Sequence, residues 1–173
     1  KLVPNDAEAY SNMGNSYHLK GDLDFAIESY KKAIEIKPDL FISYNNIGEA
    51  FKDKGELDKA IENYKKAIDV NPDYAEAYTN MGNAFKDKGN LIKSIENYKL
   101  AIKVKPEYLE AYNNMGNALL DKGDNDQAIK IFEQALLIKA DYAEVLNGMG
   151  TAMRATGDYK SAIKYYRNAI KVT

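Results

Sequence analysis

Few side chains in this sequence could carry out catalysis or hold a metal ion. The chain has one histidine, His18, and no cysteine, so it supports neither a histidine proton relay nor a thiolate nucleophile. Asp53, Glu56 and Asp58 could attract a cation, but they lack the regular spacing of a calcium-binding loop and are typical of a solvated turn. The glycines form no phosphate-cradling loop. We therefore expect no enzyme, no metal site and no cofactor.

Composition narrows the remaining classes of protein. With 173 residues, 45% of them hydrophobic and 29% charged, the chain is expected to fold and to bury a core. The longest apolar run, 135–138, is too short for direct membrane insertion, and no secretory leader opens the sequence. The net charge of −2 argues against a nucleic-acid partner. Because the absence of cysteine fits a reducing compartment, we expect a cytoplasmic location.

The strongest feature of the sequence is an internal repeat with a constant step of 34 residues. Two glycine series follow it: Gly14, Gly48, Gly82, Gly116 and Gly150, then Gly21, Gly55, Gly89, Gly123 and Gly157. An aromatic series keeps the same step: Tyr30, Tyr64, Tyr98, Phe132 and Tyr166. Prolines follow it at Pro4, Pro38, Pro72 and Pro106, until Ala140 breaks the series. A fixed period of this length indicates an array of identical structural units.

Each unit is predicted to form two helices. In the copy at 75–108, helical spacing recurs in two runs: Ala77, Tyr78, Met81, Ala84 and Phe85, then Ile95, Tyr98 and Ile102. Gly89 is expected to end the first helix in a left-handed conformation, and Pro106 to end the second. No stretch alternates with period two, so we expect no β-sheet.

The first glycine series lies inside the first helices, where each glycine costs about 0.5–1 kcal/mol relative to alanine. We expect close approach of the second helix to offset this cost. The predicted facing positions are small: Ala26, Ala60, Ser94, Ala128 and Ala162.

The repeat resembles the tetratricopeptide repeat (TPR) family. In the third copy the residues that carry the resemblance are Tyr78, Met81, Gly82, Phe85, Ser94, Tyr98, Ala101 and Pro106. The resemblance implies an all-α fold, a right-handed superhelical solenoid of antiparallel helix hairpins. It divides the chain into a single array over 7–173, with repeats 7–40, 41–74, 75–108, 109–142 and 143–173. Residues 1–6 are then the end of a preceding repeat or turn.

The resemblance also implies a surface that binds partners, because the first helices of this family line a concave groove that usually binds peptides. The candidate partner-binding residues carried over onto this chain are Asn12, Asn15, Asn46, Glu49, Lys52, Asn80, Asn83, Lys86, Asn114 and Asn117. A carboxamide can both donate to and accept from a peptide backbone of any sequence. Alternatively, these asparagines only satisfy neighbouring groups and stabilise the array.

The distribution of charged residues predicts the charge of the expected partner. The groove set contains eight acidic residues against three basic ones, whereas 92–105 and 160–173 on the second helices are basic. A neutral or basic extended segment of a protein or peptide is therefore the expected partner. The family's carboxylate-binding mode is disfavoured, because acidic Glu76 and Glu110 stand where that mode uses lysine.

Two other functions remain open from the sequence. Opposite charge on the two faces, and apolar residues left bare at the end of the array, favour a homo-oligomerising scaffold of a larger assembly or organelle surface. Alternatively, the repeats are the substrate-recruiting arm of a larger enzyme, such as a glycosyltransferase that modifies serine and threonine.

Overall fold

The computed structural model describes residues 6–172, which form ten α-helices and no strand. The helices are α1 (Ala7–Lys20), α2 (Leu23–Ile36), α3 (Phe41–Asp53), α4 (Leu57–Val70), α5 (Ala75–Asp87), α6 (Leu91–Val104), α7 (Leu109–Lys122), α8 (Asn125–Ile138), α9 (Ala143–Ala155) and α10 (Tyr159–Val172). The expected all-α fold with two helices in each copy is confirmed. The predicted tail of a preceding repeat falls mainly on residues 1–5, which lie outside the described residues.

Local hydrogen bonds explain where the helices begin and end. Asp6 caps α1, because its Oδ1 accepts a hydrogen bond from Ala9 N at 3.0 Å. At the other end, Gly21 has φ 86° and its N–H donates to the carbonyl of His18. The glycines at the equivalent four turns also have positive φ, as the sequence predicted. Each first helix therefore stops at a fixed point and turns directly into the second.

The helices form two compact units, residues 1–88 and 89–173. In the first unit, one cluster is built around Tyr30, Ile27 and Ile47, and another around Tyr64. In the second unit, a single cluster surrounds Phe132 and includes Tyr98, with helices α6 to α9 contributing. Each unit thus has an apolar core in which the repeated aromatic residues lie at the centre.

Four of the glycines inside the first helices lie directly under aromatic rings of the second helices: Gly14, Gly48, Gly116 and Gly150. A Cβ added at Gly14 would stand 2.5 Å from Tyr30 Cε1, and one at Gly48 would stand 2.5 Å from Tyr64 Cε1. The same holds for Gly116 under Phe132, at 2.3 Å. The expected close approach of the second helix is therefore present, but the residue that faces the glycine is the aromatic one and not the predicted small residue. The aromatic ring fills the space over the glycine, because a flat ring covers more apolar surface than a methyl group does.

Substitution of Gly116 by Ala is expected to destabilise the protein by about 1–3 kcal/mol, because the new Cβ overlaps the Phe132 ring. Helix propensity alone predicts the opposite sign, a gain of about 0.5–1 kcal/mol. Urea unfolding followed by circular dichroism measures the difference. In a Phe132→Leu background the cost of Gly116→Ala should shrink, and an undiminished cost would contradict the contact.

Helix α10 contributes little to the core of the second unit. Ala162 is its only buried residue in the described range, whereas α8 buries Ala128, Phe132 and Ala135. The Ile163 side chain is 52% exposed and that of Tyr159 is 66% exposed. The predicted bare apolar surface at this end is therefore present.

Backbone amides in α10 are expected to exchange with solvent faster than those in α8, because few buried contacts oppose local opening. Hydrogen–deuterium exchange read by mass spectrometry compares the two helices in one sample. Equal or slower exchange in α10 would mean that its stability does not depend on the residues that it buries.

Candidate functional site

The predicted partner-binding residues of the first unit lie on α1, α3 and α5. We call the surface that they form the first-helix face, and its residues are Asn12, Asn15, Asn46, Glu49, Lys52, Asn80, Asn83 and Lys86. Asn12 and Asn15 are exposed, and most of the others are partly buried. Asn80 is an exception, because only 7% of it is exposed. The face therefore contains side chains that a partner can reach and at least one that it cannot.

Asn15 is held by two hydrogen bonds from neighbouring helices. Its Oδ1 accepts from Tyr30 Oη at 2.8 Å and from Asn46 Nδ2 at 3.1 Å. Both bonds use the carbonyl side of the carboxamide, so they fix its orientation. Burial, together with the charge of Glu49, raises the pKa of Tyr30 to about 12, so the hydroxyl remains a donor at neutral pH.

Asn80 belongs to a buried network between α3 and α5. Its Nδ2 donates to Asn45 Oδ1 at 3.1 Å and to Glu49 Oε1 at 3.4 Å. Asn45 is 1% exposed, and its own Nδ2 is buried without a hydrogen-bond partner among the described residues. In this geometry Asn80 joins neighbouring helices.

Glu49 is the acidic residue nearest the centre of the first-helix face. No lysine, arginine or histidine nitrogen of residues 6–172 forms an ion pair with it, and it accepts a hydrogen bond from Asn80. Burial raises the pKa of the Glu49 carboxyl above its ordinary value, and Lys52 opposes this shift. Beside it, Tyr64 Oη is buried without a hydrogen-bond partner in the same range.

The single histidine joins two helices. His18 Nε2 lies 2.8 Å from Asp53 Oδ2, which connects α1 to α3 at the edge of the first-helix face. The other residues of the acidic segment are also paired, Glu56 with Lys59 at 2.5 Å and Asp58 with Lys88. Across residues 6–172, no group of three histidine, cysteine, aspartate or glutamate side chains could hold a metal ion.

The second unit presents the predicted residues Asn114 and Asn117 on α7. Asn117 Nδ2 donates to Asn113 Oδ1 at 3.4 Å, and Asn114 is partly buried. On α9 the equivalent of Asn114 is Gly148, where an added Cβ would stand 2.6 Å from Phe132 Cζ. The series of carboxamides therefore ends where the aromatic residue of the preceding helix lacks a hydroxyl.

Sequence reasoning missed the residues that support the face from beneath. Tyr30, Tyr64 and Asn45 do not belong to the predicted set, yet two of them contact it by hydrogen bonds. One signal was present in the sequence: Phe132 and Gly148 change together, whereas Tyr30 is followed by Asn46. A hydroxyl on the ring and a carboxamide on the next first helix occur as a pair.

Comparison with known protein families gives the class of this protein. A family model described as TPR repeat matches residues 14–55, 48–89 and 82–123, and one described as Tetratricopeptide repeat matches residues 107–173. The chain belongs to the tetratricopeptide repeat family and has the fold of a protein-interaction scaffold. Such scaffolds are generally non-catalytic. No curated protein matches the sequence.

Several solved structures are similar to this chain. A crystal structure of MamA protein is 28% identical, with a TM-score of 0.80 over 96% of this chain and 91% of that one. The pilF protein of Pseudomonas aeruginosa is 22% identical, with a TM-score of 0.84 over 96% of this chain and 76% of that one. YrrB, described as a TPR protein with an unusual peptide-binding site, is 19% identical, with a TM-score of 0.73 over 99% and 88%. Because pilF and YrrB are each less than 25% identical to this chain, their similarity supports the fold alone. No helix within residues 6–172 is long and apolar enough to cross a membrane.

The Glu49→Gln variant is expected to gain stability over the wild type as the pH rises. A carboxyl whose folded pKa is raised stabilises the fold below its ordinary value of 4.5 and loses that contribution as the pH rises through the folded value. The advantage of the variant should therefore be smallest near pH 4 and larger at neutral pH. Urea unfolding at several pH values measures it.

Glu62→Gln is the matched control, because Glu62 is exposed and pairs with Lys66 at 2.6 Å. That hydrogen bond lowers the pKa of Glu62, so its small contribution to stability is lost as the pH falls. The two variants should differ in the sign of their pH dependence. A pH-independent effect of Glu49→Gln would mean that burial does not perturb its carboxyl.

Proposed function

We propose that this chain is a non-catalytic scaffold that binds an extended peptide segment on its first-helix face. The observation that carries this proposal is the arrangement of Asn15. Two donors occupy its Oδ1, so its Nδ2 is held in a fixed orientation with no intramolecular acceptor among the described residues. The exposed carboxamide of Asn12 lies one helical turn away.

An extended peptide presents backbone carbonyl and N–H groups at regular intervals. A carboxamide matches either group, so fixed carboxamides on successive helices can bind a backbone whatever side chains it carries. Because the Tyr30 and Asn46 bonds already fix Asn15, binding costs less side-chain entropy than it would on a mobile surface.

The comparisons agree with a binding role without identifying the partner. Tetratricopeptide repeats serve as interaction scaffolds, and YrrB is described as having a peptide-binding site. YrrB shares only 19% identity with this chain, so the support from it is limited to a shared fold.

A second candidate function, self-association, is favoured by the surface of α10. Lys160, Lys164, Arg167 and Lys171 give this helix four positive charges and no negative charge, and Tyr159 and Ile163 are exposed beside them. A basic helix with exposed apolar side chains could bind the acidic surface of another copy. Light scattering at low and high salt tests this function. A monomer at both salt concentrations would reject it.

The double variant Asn12→Ala, Asn46→Ala is expected to weaken peptide binding about tenfold while the fold survives, because each change removes about 0.5–1.5 kcal/mol of hydrogen bonding. Asn80 is left intact, since it is buried and its loss would disturb α3 and α5. The probe is a fluorescein-labelled linear peptide selected from a phage-displayed random library, and the readout is fluorescence anisotropy.

The matched control is Asn63→Ala with Gln134→Ala, which removes two carboxamides from the second helices α4 and α8. This control should leave affinity unchanged. If both double variants bind the peptide as tightly as the wild type, the first-helix face is not the binding surface.

A further inference from the structure

We propose that Glu49 receives a lysine or arginine side chain of the bound segment, so that the first-helix face selects extended segments with a basic residue at one position. This inference rests on the proposed function, because it assumes that a segment binds there.

The first support is the state of the Glu49 side chain. The carboxylate is partly buried, yet no cation of the described residues lies within ion-pair distance. The hydrogen bond that it accepts from Asn80 is long, at 3.4 Å. Withdrawing a carboxylate from water is unfavourable unless charge or hydrogen bonds compensate it. Glu49 therefore has acceptor capacity that the chain itself does not use.

The second, independent support is the Tyr64 hydroxyl. The Tyr64 ring covers Gly48 in the same way that the Tyr30 ring covers Gly14. Tyr30 Oη donates to Asn15, and Tyr166 Oη lies 3.2 Å from Thr151 Oγ1. By the repeat, Glu49 is the residue that stands opposite Tyr64.

Tyr64 is 0% exposed, and its hydroxyl has no hydrogen-bond partner among the described residues. The negative charge of Glu49 contributes to raising the pKa of this hydroxyl, after the larger effect of burial. A buried polar group without a partner is rare in folded proteins. Glu49 and Tyr64 thus both have unused bonding capacity at the same point of the face.

The other copies show that a carboxylate is not needed here for folding. The residues equivalent to Glu49 are Asn15, Asn83, Asn117 and Thr151, all of them neutral. Only the second copy places a charged group at this position. A cation from outside the chain would compensate that charge.

The surrounding charges favour a cation over an anion. On the helices packed around Glu49, the titratable groups that act on it are His18 from α1, Lys52 and Asp53 from α3, and Glu76 from α5. Its charge in turn acts on Tyr30, Tyr64 and Tyr74. Lys52, and more weakly His18, oppose the negative charge of Glu49, while Glu76 and Asp53 add to it. His18 itself lies 2.8 Å from Asp53. A guanidinium or ammonium group bound there would form charge-assisted hydrogen bonds.

The test selects linear peptides from a phage-displayed random library with the wild-type chain, then measures the affinity of the selected peptides by anisotropy. We expect selected peptides to be enriched in lysine or arginine at one position. Replacing that residue by acetyl-lysine or citrulline should weaken binding about tenfold, and so should Glu49→Asn in the protein. Raised salt should weaken wild-type binding more than binding by the variant.

Two comparisons separate this effect from a structural one. Glu49→Asn introduces the residue that three other copies carry, so it should unfold at the same or a higher urea concentration than the wild type. Asp69→Asn removes the same charge from an exposed position near the end of α4, a second helix, and it should leave affinity nearly unchanged.

The outcomes are distinct. Peptides that bind without basic residues, or that lose affinity equally with Glu49→Asn and Asp69→Asn, would overturn this inference and leave the proposed function standing. No peptide binding at all would overturn both. Self-association that Glu49→Asn abolishes would identify the occupant as a second copy of the chain, and would also overturn the proposal.

Discussion

The contact on which the structure depends is an aromatic ring lying flat on a glycine of the preceding helix. At Gly14, Gly48 and Gly116, any Cβ would overlap the ring of Tyr30, Tyr64 or Phe132. Glycine destabilises a helix, but burying the ring stabilises the fold by more, because the ring removes a large apolar surface from water. The contact between ring and glycine therefore sets the distance between the two helices of a hairpin.

The same ring connects the core to the surface. Tyr30 reaches past Gly14 and donates its hydroxyl to Asn15, which then accepts from Asn46. Where the ring is Phe132, the hydroxyl is absent, and Gly148 replaces the carboxamide of the next first helix. Tyr64 differs from both, because its hydroxyl is present and close enough to feel the charge of Glu49, yet Glu49 does not accept a hydrogen bond from it. The face of each copy therefore varies with the chemistry of the ring beneath it.

The helices and their ends could be predicted from the sequence, because periodicity and the turn glycines act locally. Gly21 and its equivalents end the first helices in the conformation expected of them. The positions of the face followed from the family pattern, but the burial of Asn80 did not, since it depends on how closely α3 and α5 approach. For the same reason, the sequence suggested Ala26 as the partner of Gly14 when the partner is Tyr30. Distances between helices are determined by the whole core, which no single stretch of sequence reveals.

The central claim is that the ring which holds a hairpin also orients the surface residues above it. The most direct test is the NMR spectrum of the side-chain amides in the Tyr30→Phe variant, compared with the wild type. The account predicts that the Asn15 and Asn46 amide resonances shift, because the hydroxyl that fixes Asn15 is gone, whereas the Asn63 amide on α4 does not. Unchanged Asn15 and Asn46 resonances would show that the face is oriented independently of the ring, which would contradict the account.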